Sequence, residues 1–195
     1  MTTTFPKRQD SLFYLTEGGT ETELMYKFGF ELPEFALYPL LDNARAVSHL
    51  SGMFQRYLDV AEKHGSAALI GGLDYRASPD WAKRLGYSDR GLADMQHRSI
   101  DFLREVAAPY RGRIPQIVIA GIVGPRGDAY ALNKKICAAE AEDYHSVQLE
   151  NLKAAEAEFV WAATFNNVPE AVGLSRAAAR FGLPLCLSFT LDRNS

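Results

Sequence analysis

Ile117-Val118-Ile119-Ala120-Gly121-Ile122-Val123-Gly124-Pro125-Arg126-Gly127-Asp128 opens on an apolar run and closes in a glycine-rich, charged turn. The run Ile117–Ala120 shows no polar alternation, which is what a strand covered on both faces of a parallel sheet requires. Four further runs have the same character: Phe13–Thr16, Ala67–Ile70, Phe159–Ala162 and Leu185–Phe189. Amphipathic stretches separate them. Leu50, Met53, Phe54, Tyr57, Leu58 and Ala61 recur at helical spacing and are followed by Gly65 as a stop. Leu92, Met95, Ile100, Leu103 and Val106 mark a second helix behind the caps Ser88 and Asp89. A third spans about 138–155, and a fourth has Pro169 in its first turn and stops at Gly182.

The order β-α-β-α-β-α-β-α-β makes the fold α/β with a parallel sheet, either doubly wound or a barrel. A (β/α)₈ barrel needs roughly 250 residues, about 31 per unit. The 195 residues hold five strands and four helices. As a parallel (β/α) barrel of TIM type the chain is cut short after about five βα units. No repeat or linker divides it, so residues 1–195 are expected to form one domain. The last strand is expected to leave Leu185, Leu187 and Phe189 uncovered, and open barrel edges are expected to favour a homo-oligomer.

Charge excludes some partners. Lys and Arg number 21 against 24 Asp and Glu, a net −3, which provides no basic field for nucleic acid or an anionic membrane. No apolar run is long enough to span a bilayer, and the N-terminus lacks the apolar stretch of a signal peptide. Two cysteines, Cys137 and Cys186, suit a reducing cytosol. The expectation is a soluble cytoplasmic protein.

Polar, glycine-rich segments follow successive strands, where barrel sites gather. Thr16-Glu17-Gly18-Gly19-Thr20-Glu21-Thr22-Glu23-Leu24 places an acid before two glycines, so that a ligand can approach backbone. Glu17 there can hold an ammonium group or act as a base; the plainer reading is a loop with Thr20 or Thr22 as a helix cap. In Gly71-Gly72-Leu73-Asp74-Tyr75-Arg76-Ala77-Ser78, Asp74 and Arg76 are either site residues or partners of each other. Arg126 reads more simply as part of a structural turn than as an anion holder. Thr164 and Asn166 offer hydrogen bonds after the fourth strand. His49, His64, His97 and His145 lie singly on helices, as surface or half-buried residues, and no metal-ligand spacing exists. Gly-x-Ser-x-Gly is absent, and no catalytic residue is assigned.

Taken together these segments resemble the homocysteine S-methyltransferase family, (β/α)₈ barrels that include betaine-, S-methylmethionine- and folate-dependent enzymes. The opening motif is matched by Glu17-Gly18-Gly19-Thr20-Glu21-Thr22-Glu23-Leu24, the second by Tyr75-Arg76-Ala77-Ser78, and the third by Ala120-Gly121-Ile122-Val123-Gly124-Pro125-Arg126-Gly127. Glu142-Asp143-Tyr144-His145-Ser146-Val147-Gln148-Leu149-Glu150-Asn151-Leu152 matches the family's Glu-x-Tyr-His-x-x-Gln helix. Pro169-Glu170-Ala171 and Leu183-Pro184-Leu185-Cys186-Leu187-Ser188-Phe189-Thr190 follow in order.

The resemblance implies methyl transfer from a small donor to the thiol of homocysteine, giving methionine. It implies a substrate site built from Glu17, Gly18, Gly19, Thr20, Asp74, Tyr75, Arg76 and Thr164. The departures are specific. The family's first-strand aspartate is Glu17, a glycine of the opening motif is Glu21, and Ala163 stands where a second glutamate contacts the amino acid. Zinc is expected for the family, but its cysteines come from later strands, and Cys137 and Cys186 match neither position. This chain is therefore expected to be inactive by itself. Two alternatives remain: a non-catalytic small-molecule binder or decayed member, and a barrel enzyme in which Glu17, Glu21 and Asp74 act as zinc-independent acids and bases.

Overall fold

The computed structural model describes residues 10–129, 131 and 135–191. Five strands, β1 (Tyr14–Thr16), β2 (Ala67–Gly71), β3 (Ile117–Val123), β4 (Phe159–Phe165) and β5 (Leu185–Phe189), form one sheet in the order β1-β2-β3-β4-β5. Every pairing is parallel. Because sequence order equals sheet order, no strand reverses direction across a switch point, and the doubly wound alternative is excluded. The five strands form a curled half-barrel of the TIM type.

The helices are α1 (Thr20–Thr22, a single turn), α2 (Ala44–His64), α3 (Pro79–Arg84), α4 (Asp89–Ala107), α5 (Ala138–Ala154) and α6 (Val168–Phe181). The four long ones are those expected from periodicity. The short α3 was not expected: Pro79 starts it where the sequence suggested loop, its fixed φ suiting a first helical turn. Between α1 and α2 the chain runs through a π-turn and two 3-10 turns.

Caps explain the ends. Asn43 Oδ1 accepts from the Arg45 and Ala46 amides at the start of α2, and Gly65 closes it at φ 64. Ser88 Oγ accepts from Gly91 N at α4, and Asn167 Oδ1 from Glu170 N at α6. Neither Thr20 nor Thr22 caps α1. Gly19, at φ 58, occupies that position without a side-chain bond.

Strand side chains alternate between two environments. Ala68, Ile70, Ile119, Val123, Val160 and Ala162 join the main core with Leu50, Phe54, Leu103, Leu149 and Leu174 of the helices. Leu69, Val118, Ala120 and Phe159 form a separate cluster with Tyr14, Ile122 and Trp161 on the opposite, barrel-interior face. Burying each large side chain contributes about 1.5–3 kcal/mol, so both faces stabilise the sheet. Leu185 and Leu187 were expected to lie uncovered but are half-buried against the main core, because their register with Val160 and Ala162 puts them on the helix-facing side. Phe189 is 46% exposed. Among the described residues no helix is long and apolar enough to cross a membrane.

Candidate active site

A cavity of about 580 Å³ opens at the C-terminal ends of the strands. Of the eight substrate-site residues expected from sequence, Glu17, Gly18, Gly19, Thr20, Tyr75, Arg76 and Thr164 line it, and Asp74 does not.

Glu17 emerges from β1 and reaches sideways, so that Oε1 accepts from the Gly71 amide at 3.0 Å. A Cβ on Gly71 would stand 2.6 Å from that oxygen and 2.4 Å from Ile122 Cδ1, so only glycine admits this crossing. Glu17 Oε2 is buried with no hydrogen-bond partner. Burial outweighs the Gly71 hydrogen bond and raises the carboxyl to about 7, and the neighbouring charge of Glu21 adds to the rise. Glu21 lies on the same side one turn on, lines the cavity, and is raised by burial while the charge of Arg76 pulls it back down. Tyr57 Oη of α2 fixes the Gly18 backbone, donating to its carbonyl at 3.0 Å.

The opposite wall carries Tyr75 and Thr164. Thr164 Oγ1 donates to the Ala163 carbonyl and accepts from Tyr75 Oη, both at 2.7 Å, since each hydroxyl has one proton. Thr164 sits at φ 60, an unfavourable backbone for a β-branched residue, at a bulge where β4 advances three residues against two of β5. Such strain costs of order 1–3 kcal/mol and clusters at ligand sites. Gly124 supports Tyr75 from behind: a Cβ there would meet the Tyr75 ring and carbonyl at 2.8 Å.

Asp74 lies beneath the cavity, fully buried, and neither oxygen makes a well-formed hydrogen bond. It does not pair with Arg76. Burial raises it to about 7, opposed by the nearby Ser99 hydroxyl and Ile122 backbone. A Cβ on Gly72 would lie 2.0 Å from Oδ2, which is why a glycine stands two positions before it.

The expectation of a surface or half-buried histidine fails at His145. It is fully buried, with Nε2 2.8 Å from Glu170 Oε1, which also accepts from the Arg126 amide. Periodicity cannot distinguish a buried polar pair from two surface residues, and the partner lies on another helix. Tyr144 Oη meets Ser78 Oγ at 2.7 Å, and Gln148 Nε2 donates to the carbonyls of Asp74 and Ile122. The Tyr-His-x-x-Gln face thus pins the strand-end loops from outside and stays out of the cavity. Arg126 is structural, paired with Asp80 and Glu140.

Sequence reasoning missed Phe35 and Trp161 as cavity walls. Trp161 carried a signal, its period-two position facing the barrel interior, whereas Phe35 comes from an irregular segment with none.

Among the described residues no group of three His, Cys, Asp or Glu could hold a metal ion. Cys137 caps α5, its Sγ accepting from Glu140 N, and Cys186 lies exposed on β5. These residues do not fit the zinc that the family resemblance implies.

Four βα units and a fifth strand, with their loops gathered at one end of a curled parallel sheet, define a portion of a TIM-type barrel. A family model for homocysteine S-methyltransferase matches residues 14–195, and the chain belongs to that family. Among solved structures it is similar to the homocysteine methyltransferase MmuM from Escherichia coli in its metallated form, with a TM-score of 0.71 and 21% identity over 94% of this chain and 64% of that one. The oxidized form of MmuM gives 0.70 and 20%, covering 92% and 62%, and the apo form 0.63 and 18%, covering 94% and 61%. The chain therefore spans less than two thirds of the length of these relatives, and identities this low establish the fold. No curated protein matches the chain.

Proposed function

We propose that the cavity binds homocysteine, and that the chain carries the amino-acid-binding part of a homocysteine S-methyltransferase. The observation that carries this reading is the Glu17 carboxyl, whose buried Oε2 lacks a protein partner at the edge of the cavity. An α-ammonium group would satisfy that acceptor, and a charge-assisted hydrogen bond would replace an unfavourable buried oxygen. Holding the amino acid leaves its side-chain sulfur free to meet a methyl donor. In the transfer the sulfur forms the new S–CH₃ bond, the donor's bond to the methyl breaks, and the thiol proton is lost. The residues described supply binding and orientation, which lower the entropic part of the barrier.

A non-catalytic binding role is a second reading, and two observations favour it. Ala163 offers no second carboxylate from β4, and Cys137 and Cys186 stand apart on different elements. A free thiol with a pKa near 8.5 is mostly protonated at pH 7. Calorimetry with L-homocysteine and L-methionine tests the common part of both readings. Glu17→Gln is expected to weaken binding by roughly 1.5–3 kcal/mol, and equal affinity in both variants would assign Glu17 to structure. Turnover assays with S-methylmethionine, S-adenosylmethionine and betaine separate the two, the expectation being binding without transfer and substoichiometric zinc by elemental analysis. Methyl transfer by this chain would remove the binding-only reading.

A further inference from the structure

Among the described residues that line the cavity, Arg76 is the one cationic side chain. Its guanidinium is held on two sides: Cζ lies 4.2 Å from the Trp81 ring centroid, and Nη1 donates to the Gly127 carbonyl. Nε is buried and has no hydrogen-bond partner, and Nη2 makes none among the described residues. Glu21 is near enough to feel its charge, but among the described residues no ion pair joins Arg76 to a carboxylate. A buried guanidinium donor without an acceptor is unusual, because it costs the desolvation of a charged group. Stacking on Trp81 and the single backbone anchor fix the plane of the fork while leaving two of its nitrogens uncommitted, which is how arginine is prepared for a planar anion.

We propose that Arg76 anchors the α-carboxylate of the bound amino acid, so that the cavity selects free α-amino acids against their esters and amides. The inference rests on the reading of the cavity as a homocysteine site. Glu17 then reads the ammonium end and Arg76 the carboxylate end of one zwitterion. Glu21 and Asp128 line the same cavity and oppose an anion when ionised, and burial shifts Glu21 toward its neutral form. A ligand carrying both charges is favoured over a simple anion for that reason, since its ammonium group faces the carboxylates while its carboxylate meets the guanidinium.

The test compares L-homocysteine with its methyl ester by calorimetry on the unaltered chain, then on Arg76→Gln and Arg76→Lys. The ester is expected to bind about 10- to 100-fold more weakly than the free acid, the range for losing a hydrogen bond to a charged group. Arg76→Gln is expected to lower affinity for the acid by a similar factor while leaving the ester unchanged, with partial recovery in Arg76→Lys. Equal binding of acid and ester by the unaltered chain overturns the role of Arg76 and leaves the homocysteine site standing. Binding of neither overturns both. The first comparison needs no variant, so a misfolded substitution does not remove the test.

Discussion

The Glu17 carboxylate, rooted at the end of β1, is held by the backbone amide of Gly71 at the end of β2, 3.0 Å away. The bond ties the acid to its neighbouring strand and exists only because Gly71 has no Cβ to fill the gap.

Gly71→Ala is therefore expected to displace both Glu17 and Ile122. Overpacking of this kind costs typically about 1–3 kcal/mol. Urea denaturation should show that loss, and calorimetry should show weakened amino-acid binding. An alanine variant with unchanged stability and affinity would contradict the geometry.

Binding should depend on pH through Glu17. Its carboxyl is raised from 4.5 to about 7 by burial, so it is increasingly protonated below pH 7. Only the ionised form attracts an ammonium group. Affinity is expected to be greatest near pH 8 and to fall by up to about tenfold per pH unit below 7, as one required proton loss demands. Glu17→Gln should flatten the profile. Isothermal titrations at pH 5.5, 7 and 8.5 check this.

Asp74 affects stability in the same range. Its folded-state value is about 7 against an ordinary 3.8, so the folded chain holds a proton that the unfolded chain has released between those limits. The stability gained from that proton is fully present below about pH 4 and is lost as pH rises through 7. Asp74→Asn keeps the site neutral at every pH. It is expected to raise stability at pH 8 by a few kcal/mol, on the scale of about 1.4 kcal/mol per pKa unit, and to change little at pH 4. Denaturation curves at the two pH values measure the difference.

Among the described residues β1 and β5 each pair with a single neighbour. Phe13, Phe189 and Leu191 expose apolar surface beside them, at 78%, 46% and 76%. Unpaired edges with exposed aromatics favour association. Light scattering on the 195-residue chain is expected to show dimers or larger species, and charged substitutions at Phe13 and Phe189 to shift it toward monomer. A stable monomer at high concentration would count against this.

The strand runs, the helical periods and the cap Ser88 were open to reading because they depend on residues close in sequence. The parallel order followed from alternation, and the glycine-rich segments after successive strands located the cavity and seven of its walls. The resemblance in Glu17–Leu24 and Tyr75–Ser78 pointed to the family that the comparison then established. Local pattern determined this much by itself. Whether the sheet curls or lies open, whether Asp74 faces the cavity or lies beneath it, and whether His145 meets Glu170 were decided by tertiary structure. Each depends on groups brought together from distant positions, such as Gln148 on Asp74 and Glu170 on both His145 and Arg126. A side chain's type is written in the sequence, but its burial and partners arise only when separate elements pack. Those two properties raise Glu17 to about 7 and leave the Nε of Arg76 without an acceptor.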